Sequence, residues 1–205
     1  MKTINSFIFI FFFFLSVVVY SQDYPGGYNF VGESEKENSK KIYPYFFLEL
    51  KFPKMSETWG TEFGGGAGAL FGKKFGIGVE YFSLLSNKMR VQVTDTSDYA
   101  LGLGYGGMEF SYSFFLFDIM KISPAVMTGL ARVTNSYENV LGVSNYSKDD
   151  WFFMLEPRVR IGVRLFKGVW FGFAAGWRMP FGLKYYNLGD KALSGPFFAV
   201  SVCSL

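Results

Sequence analysis

The chain has 205 residues, enough for one domain with a full core, and its net charge of +3 is too small to point to nucleic acid. It contains no histidine, which excludes Ser-His-Asp and Cys-His catalysis and the usual imidazole metal sites. A single cysteine, Cys203, excludes an internal disulfide and is read as a small packing residue.

Residues 1–21 read as a signal peptide. Lys2 gives a positive start, Phe7 to Val19 match an apolar h-region in length, and Val19 and Ser21 suit a cut before Gln22. Residues 22–41 are polar, with Gly26-Gly27 and the charged run from Glu33 to Lys41, and are expected to form a flexible periplasmic segment. Residues 42–205 are expected to form the folded domain. Past the N-terminus no apolar run approaches the ~18–20 residues of a membrane helix. Yet charged residues are 18%, aromatics 21% and Gly 24 residues, an unusual balance for a soluble domain. Apolar side chains alternate with Gly, Ser and charge instead.

That alternation marks eight strand-like segments. The first, Ile42 to Phe52, sets Phe46, Leu48, Leu50 and Phe52 against Phe47, Glu49 and Lys51. The second, Thr61 to Phe71, sets Phe63, Ala67, Ala69 and Phe71 against Glu62 and glycines. The third, Lys74 to Leu85, sets Phe75, Ile77, Val79 and Tyr81 against Gly76, Gly78 and Glu80. The fourth runs from Tyr99 to Leu116. Its phase slips at Gly106-Gly107, between Tyr105 and Met108, which predicts a β-bulge. The fifth, Lys121 to Val133, has a blurred alternation and a proline, Pro124, that demands an edge, a strand start or a bulge. The sixth, Trp151 to Phe166, sets apolar residues from Phe153 to Leu165 against Glu156, Arg158, Arg160 and Arg164. The seventh, Val169 to Met179, sets Phe171, Phe173 and Trp177 against small residues and Arg178. The eighth, Gly195 to Ser204, alternates Phe198, Val200 and Val202 with Ala199, Ser201 and Cys203.

Short connections follow the second, fourth and sixth segments. Longer polar ones, Pro53–Thr58, Ser86–Asp98, Thr134–Asp150 and Gly182–Ser194, follow the others. This layout predicts an all-β fold, an eight-stranded antiparallel up-and-down transmembrane β-barrel. In it the short turns and both termini face the periplasm and the four loops face outward. One face of each strand is large and apolar and suits lipid. The other carries Gly, Ala, Ser and charge and suits a narrow lumen. Tyr43, Tyr45, Trp59, Tyr99, Trp151, Trp170, Trp177, Tyr185 and Tyr186 lie near strand ends and are expected to form aromatic girdles.

The inward set predicts a structural charge network of Glu49, Glu62, Glu80, Glu109 and Glu156 with Lys51, Arg158, Arg160, Arg164 and Arg178. Five charges of each sign leave the interior near neutral, as burial in a water-poor lumen requires. No catalytic, metal or cofactor residue is assigned, and the protein is not expected to be an enzyme. The expected role is structural or surface-binding in the cell envelope, as a monomer with a plugged lumen. Its partners would be outer-membrane lipid, the barrel assembly machinery and an envelope or surface partner at the loops. The alternatives are a narrow transporter of a small solute, a secreted soluble barrel binding an apolar ligand, and a lipid-facing enzyme using carboxylates such as Glu156 and Glu109.

Phe153-Met154-Leu155-Glu156-Pro157, Leu165 to Phe173, Gly176-Trp177-Arg178 and Leu193-Ser194-Gly195 together resemble a run in small outer-membrane barrel proteins of Bacteroidota, a group largely of unknown function. The resemblance implies an eight-stranded barrel and carries over no catalytic residue. One departure is the end, Cys203-Ser204-Leu205, where such barrels often close on an aromatic residue.

Overall fold

In a strand, successive side chains point to opposite faces, so period-two sequence becomes a sheet with two chemically distinct sides. The computed structural model of the chain describes residues 42–56, 58–85, 90–94, 97–116, 119–138, 144–185 and 188–204. The segments read as signal peptide and polar lead lie outside them.

The strands are β1 (Ile42–Met55), β2 (Thr58–Trp59), β3 (Glu62–Phe71), β4 (Phe75–Leu84), β5 (Arg90–Thr94), β6 (Ser97–Tyr112), β7 (Phe114–Leu116), β8 (Met120–Glu138), β9 (Ser144–Phe166), β10 (Val169–Phe181) and β11 (Gly195–Ser204). One short helix, α1 (Asp190–Leu193), precedes β11. Antiparallel pairing runs β6-β4-β3-β1-β11-β10-β9-β8, and β8 pairs back onto β6. The result is a closed eight-stranded antiparallel barrel, with β7 continuing β6 and with β2 and β5 as short additions at the loop end.

Two of the short turns are described. Gly72 (φ 60°) and Lys73 (φ 62°) both adopt left-handed backbone, as a tight hairpin turn of matching twist requires, and the Lys74 N–H closes it on the Phe71 carbonyl at 3.2 Å. Gly168 (φ 79°) serves the turn from β9 to β10. At the other end the connections hold more structure than their polar sequence suggests. Arg90–Thr94 pairs with the start of β6, and β8 and β9 stay paired out to Glu138 and Ser144. Backbone ladders do not need apolar alternation, so the pairing outruns the pattern that predicts it.

The bulge expected at Gly106-Gly107 is not there. The register of β6 runs without a shift against β4 and against β8 through both glycines. Leu101, Leu103 and Tyr105 are buried on the same face as Glu109 and Ser111, while Met108 and Tyr112 are exposed on the other. The inner face itself changes from apolar to polar along the strand, and that change mimics a slip. Pro124 lies where it does least harm. The β6–β8 ladder ends at Ser111 with Ala125 and resumes only at Phe114 with Ile122, so the proline falls in the gap.

The inner and outer faces differ in kind. Val79, Tyr81, Leu130, Phe173 and Phe198 are exposed on the outside, and Val79 is 61% exposed. Glu49, Lys51, Glu62, Glu156 and Arg178 are buried inside. Small residues on the inner face make the room. An added Cβ at Gly78 would lie 2.6 Å from the Tyr45 hydroxyl and 2.9 Å from the Ala67 carbonyl oxygen. Trp59, Trp151 and Trp177 point outward near the loop end, as a girdle requires, and Trp59 stacks on Phe198. Tyr43, Tyr45, Trp170 and Tyr185 are buried instead. Tyr43 and Tyr45 share the parity of Glu49, and Trp170 that of Arg178, so alternation turns them inward. Toward the turn end the exposed rings include Phe71 with Phe75, at 6.4 Å, and Tyr112 with Phe114, at 4.9 Å. The side chains of Tyr99 and Tyr186 lie outside the described residues.

Gly78→Leu is expected to lower the urea midpoint of the detergent-folded protein by the equivalent of about 1–3 kcal/mol through overpacking. Gly189→Ala, at a position with open space around it, should leave the midpoint in place. Equal behaviour of the two variants would contradict the close packing at Gly78.

Candidate functional site

Charged side chains on the inner faces gather into two clusters. The first lies toward the loop end and draws Lys51 from β1, Glu62 from β3, Tyr105 from β6, Glu156 from β9 and Arg178 from β10. Arg178 donates Nη1 and Nη2 to the two oxygens of Glu62 at 2.8 and 2.7 Å, and Nε to Glu156 Oε1 at 2.7 Å. Lys51 donates Nζ to Glu156 Oε2 at 2.7 Å and to the Tyr105 hydroxyl at 2.9 Å. That hydroxyl donates to Glu62 Oε2 at 2.8 Å and accepts from Arg178 Nη2 at 2.7 Å. Two cations face two carboxylates, with Tyr105 linking both pairs. The Lys51 ammonium also lies 3.6 Å from the Phe82 ring centroid, a favourable place for a desolvated cation.

The second cluster lies nearer the turns. Arg158 Nη2 contacts both Glu80 and Glu109 at very short range. Its Nη1 is 3.6 Å from Glu49 Oε1, an ion pair without a hydrogen bond. Arg160 Nη2 donates to Glu109 Oε2 at 3.1 Å and reaches Glu49 Oε2 at 3.5 Å. The Tyr45 hydroxyl donates to Glu109 Oε1 at 3.4 Å. Two cations here meet three carboxylates. Glu49 Oε1, Glu80 Oε1, Arg158 Nε and Nη1, and Arg160 Nε are buried without hydrogen-bond partners. None of the corresponding atoms of the first cluster is among them. The loop-side cluster is a closed network and the turn-side cluster an open one.

Lys121, on β8, balances the excess negative charge. It is buried, its Nζ lies 4.9 Å from the Trp170 ring, and it lines a cavity of about 20 Å³ beside Glu109 and Arg160. Ser111, Ser113 and Ser123 line the same space, and the last two share a 2.9 Å hydrogen bond. A polar cavity of that size has room for about one water.

Of the ten residues expected inside, the structure brings nine together. Arg164 is the exception. It has the right parity but sits further along β9, half-buried at the mouth of the barrel on the turn side. Parity fixes the face of a residue and not its depth. Lys121, Tyr45 and Tyr105 belong to the clusters and were missed. Lys121 shares the parity of Ser123 and Met127, but Pro124 and small residues blur that strand. Tyr45 and Tyr105 read as girdle and apolar stripe. Each hydrogen bond of the network runs between protein side chains, and no group of three or more His, Cys, Asp or Glu able to hold a metal gathers among the described residues.

At the loop end the last connection folds back over the barrel. Leu183, Tyr185 and Leu193 are buried there, with Tyr185 and Leu193 fully so. The Leu183 N–H donates to Asp190 Oδ1 at 2.8 Å, and Ser194 Oγ donates to the Arg178 carbonyl at 3.1 Å. These bonds tie α1 to the strand that carries the central arginine.

No protein-family model matches the chain, and no curated protein matches it. Among solved structures it is similar to Neisserial surface protein A, with a TM-score of 0.56, 15% identity, and coverage of 80% of this chain and 96% of that one. Ail, the attachment invasion locus protein of Yersinia pestis, aligns with a TM-score of 0.48 and 7% identity over 80% of this chain and 96% of that one. The N-terminal β-barrel domain of Pseudomonas aeruginosa OprF aligns at 0.45 and 12% over 80% and 98%. The protein has the architecture of the small eight-stranded outer-membrane barrels.

Arg178→Leu leaves Glu62 without a cation and Glu156 with Lys51 alone, and is expected to cost about 3–5 kcal/mol of unfolding free energy, measured by urea titration in micelles. A double-mutant cycle of Arg178 with Glu62 should show coupling above about 1 kcal/mol, whereas Arg178 with Glu109, which share no partner, should add within about 0.5 kcal/mol. Strong coupling in the second cycle would mean the two clusters act as one.

Proposed function

We propose that the protein is an outer-membrane barrel whose lumen is plugged by its own charge network and which serves the cell envelope as a structural or surface-binding component rather than as an enzyme. The observation that carries this is the inversion of its faces. Five glutamates and five cations line the interior, counting Lys121 and leaving out Arg164, while large apolar side chains cover the outside. A soluble barrel needs the opposite arrangement. The fold likeness to Neisserial surface protein A supports the same conclusion at the level of architecture.

The plug has two parts, the closed salt-bridge network and the apolar cover of Leu183, Tyr185 and Leu193 at the loop end. Together they argue against a path for solute. On this proposal the turns face the periplasm, residues 1–21 are an export signal and the barrel acts as a monomer. Assembly would use the barrel assembly machinery, and an origin in Bacteroidota would follow from the sequence resemblance. The surface for a partner is then the loop end, where the paired extensions of β8 and β9 stand past the apolar belt. Arg132 and Asp149 form an exposed 2.7 Å ion pair there, with Arg132 lying 5.6 Å from the Trp151 ring.

Membrane-extracted protein should run as a fast band unboiled and shift on boiling. Val79→Arg on the apolar face should cost up to ~2–4 kcal/mol of folding into lipid vesicles and reduce the fast band, with Thr58→Arg in the exposed β2 at the loop end having little effect. A protein that stays soluble without detergent and tolerates Val79→Arg would overturn the membrane assignment.

A further inference from the structure

The polar cavity of about 20 Å³ lies beside the turn-side cluster, on the turn side of Arg160. One buried water needs at least ~10–15 Å³ of such space and about three hydrogen bonds. The nine described residues that line the cavity are all buried. They come from β1, β3, β6, β8, β9 and β11, with Ser113 following β6, so the space forms as the barrel closes.

Lys121 reaches this space by a fixed route. Its cross-strand partner on β9 is Gly162, where an added Cβ would meet Lys121 Cε at 2.9 Å and Cγ at 3.0 Å. The missing side chain lets the lysine stem lie across β9, and that sets where its ammonium ends. An ammonium carries three donors and no acceptor. The Trp170 ring, 4.9 Å from Nζ, stabilises the charge but offers no oxygen to those N–H groups. Oxygens stand on the other walls of the cavity, in the Glu109 carboxylate and the hydroxyls of Ser111, Ser113 and Ser123. Arg160, on a further wall, has an Nε that is buried without a hydrogen-bond partner.

The walls are of mixed sign, and this selects the occupant. Glu109 repels an anion, and Lys121 and Arg160 repel a cation. Water both donates and accepts, so it suits both kinds of wall. We infer that the cavity is a site for one ordered water, which accepts from the Lys121 ammonium and donates to the Glu109 carboxylate. The site makes Lys121 and Glu109 an ion pair bridged by water and carries the turn-side cluster across to β8. Such a bridge is enthalpically nearly as good as a direct hydrogen bond. The inference rests on the plugged-lumen reading, in which this is a single enclosed water and not the end of a wet channel.

Crystals of the folded barrel grown from detergent test it, with a second set soaked in sodium bromide. The expected result is one density peak within hydrogen-bond distance of both Lys121 Nζ and a Glu109 oxygen, with no anomalous bromide signal there. Lys121→Met removes the donor and keeps an unbranched stem, and Ser123→Val keeps both charges and fills part of the space. Each should lose the peak. An empty cavity, a bromide peak inside it, or an unchanged water peak in either variant overturns the site. The wild-type crystals decide by themselves if a variant does not fold. A file of waters running on past Arg158 to Arg178 contradicts the plugged lumen and leaves the bridged pair standing, so the two readings fail separately. Protein that needs no detergent is crystallised from buffer and judged by the same peak.

Discussion

Everything in this barrel follows from the cost of placing charge where water cannot surround it. A narrow eight-stranded barrel has an interior filled by side chains, so each buried carboxylate needs a cation within reach. The chain meets this need by drawing partners from different strands. Arg178 on β10 joins Glu62 on β3 and Glu156 on β9, and Lys51 on β1 reaches Glu156 from the other side. Arg178 with Glu156 joins the neighbouring strands β10 and β9, but Arg178 and Glu62 are 116 residues apart and Lys51 and Glu156 105, on strands that are not neighbours in the sheet. Those two contacts need the sheet to curl round, so they favour the barrel over a flat sheet. Glycine on the inner face belongs to the same constraint. At Gly162 an added Cβ would lie 2.9 Å from the Lys121 side chain, whose length occupies the room a larger residue would take.

The two ends of the barrel are built differently. Toward the loops the network is closed, and an apolar cover of Leu183, Tyr185 and Leu193 lies over it. Toward the turns the carboxylates outnumber the guanidinium groups, several polar atoms lack partners, and a water-sized cavity adjoins them. Lys121 restores neutrality from the same space as Glu109, with its ammonium near the Trp170 ring.

The fold was legible in the sequence because parity is a strong signal wherever one face is apolar and the other is not. Strands β3, β4 and β10 have that contrast, and their bounds and faces follow from it within a few residues, while β9 has it from Trp151 onward but begins at Ser144. Depth was not legible, and depth is what separates Arg164 at the mouth from Arg160 in the network four residues closer to the strand's start. Chemical mixing on one face hid the rest. Leu101, Leu103 and Tyr105 are large and apolar yet line the interior, so β6 reads as slipping when its register is continuous. The same mixing turned Tyr45 and Trp170 into girdle residues on paper, and concealed the tyrosine hydroxyls that join carboxylates across the barrel.

The central claim is that side chains, not water, occupy the interior from Arg178 to Arg160. Single-channel recording in a planar lipid bilayer tests it most directly. The account predicts a baseline current with no discrete openings for the wild-type barrel once insertion has been verified by the protease protection of its membrane strands. Steady, ohmic unit openings from the wild-type protein would contradict it, because ions would then be crossing the space that the glutamates and their cations are said to fill.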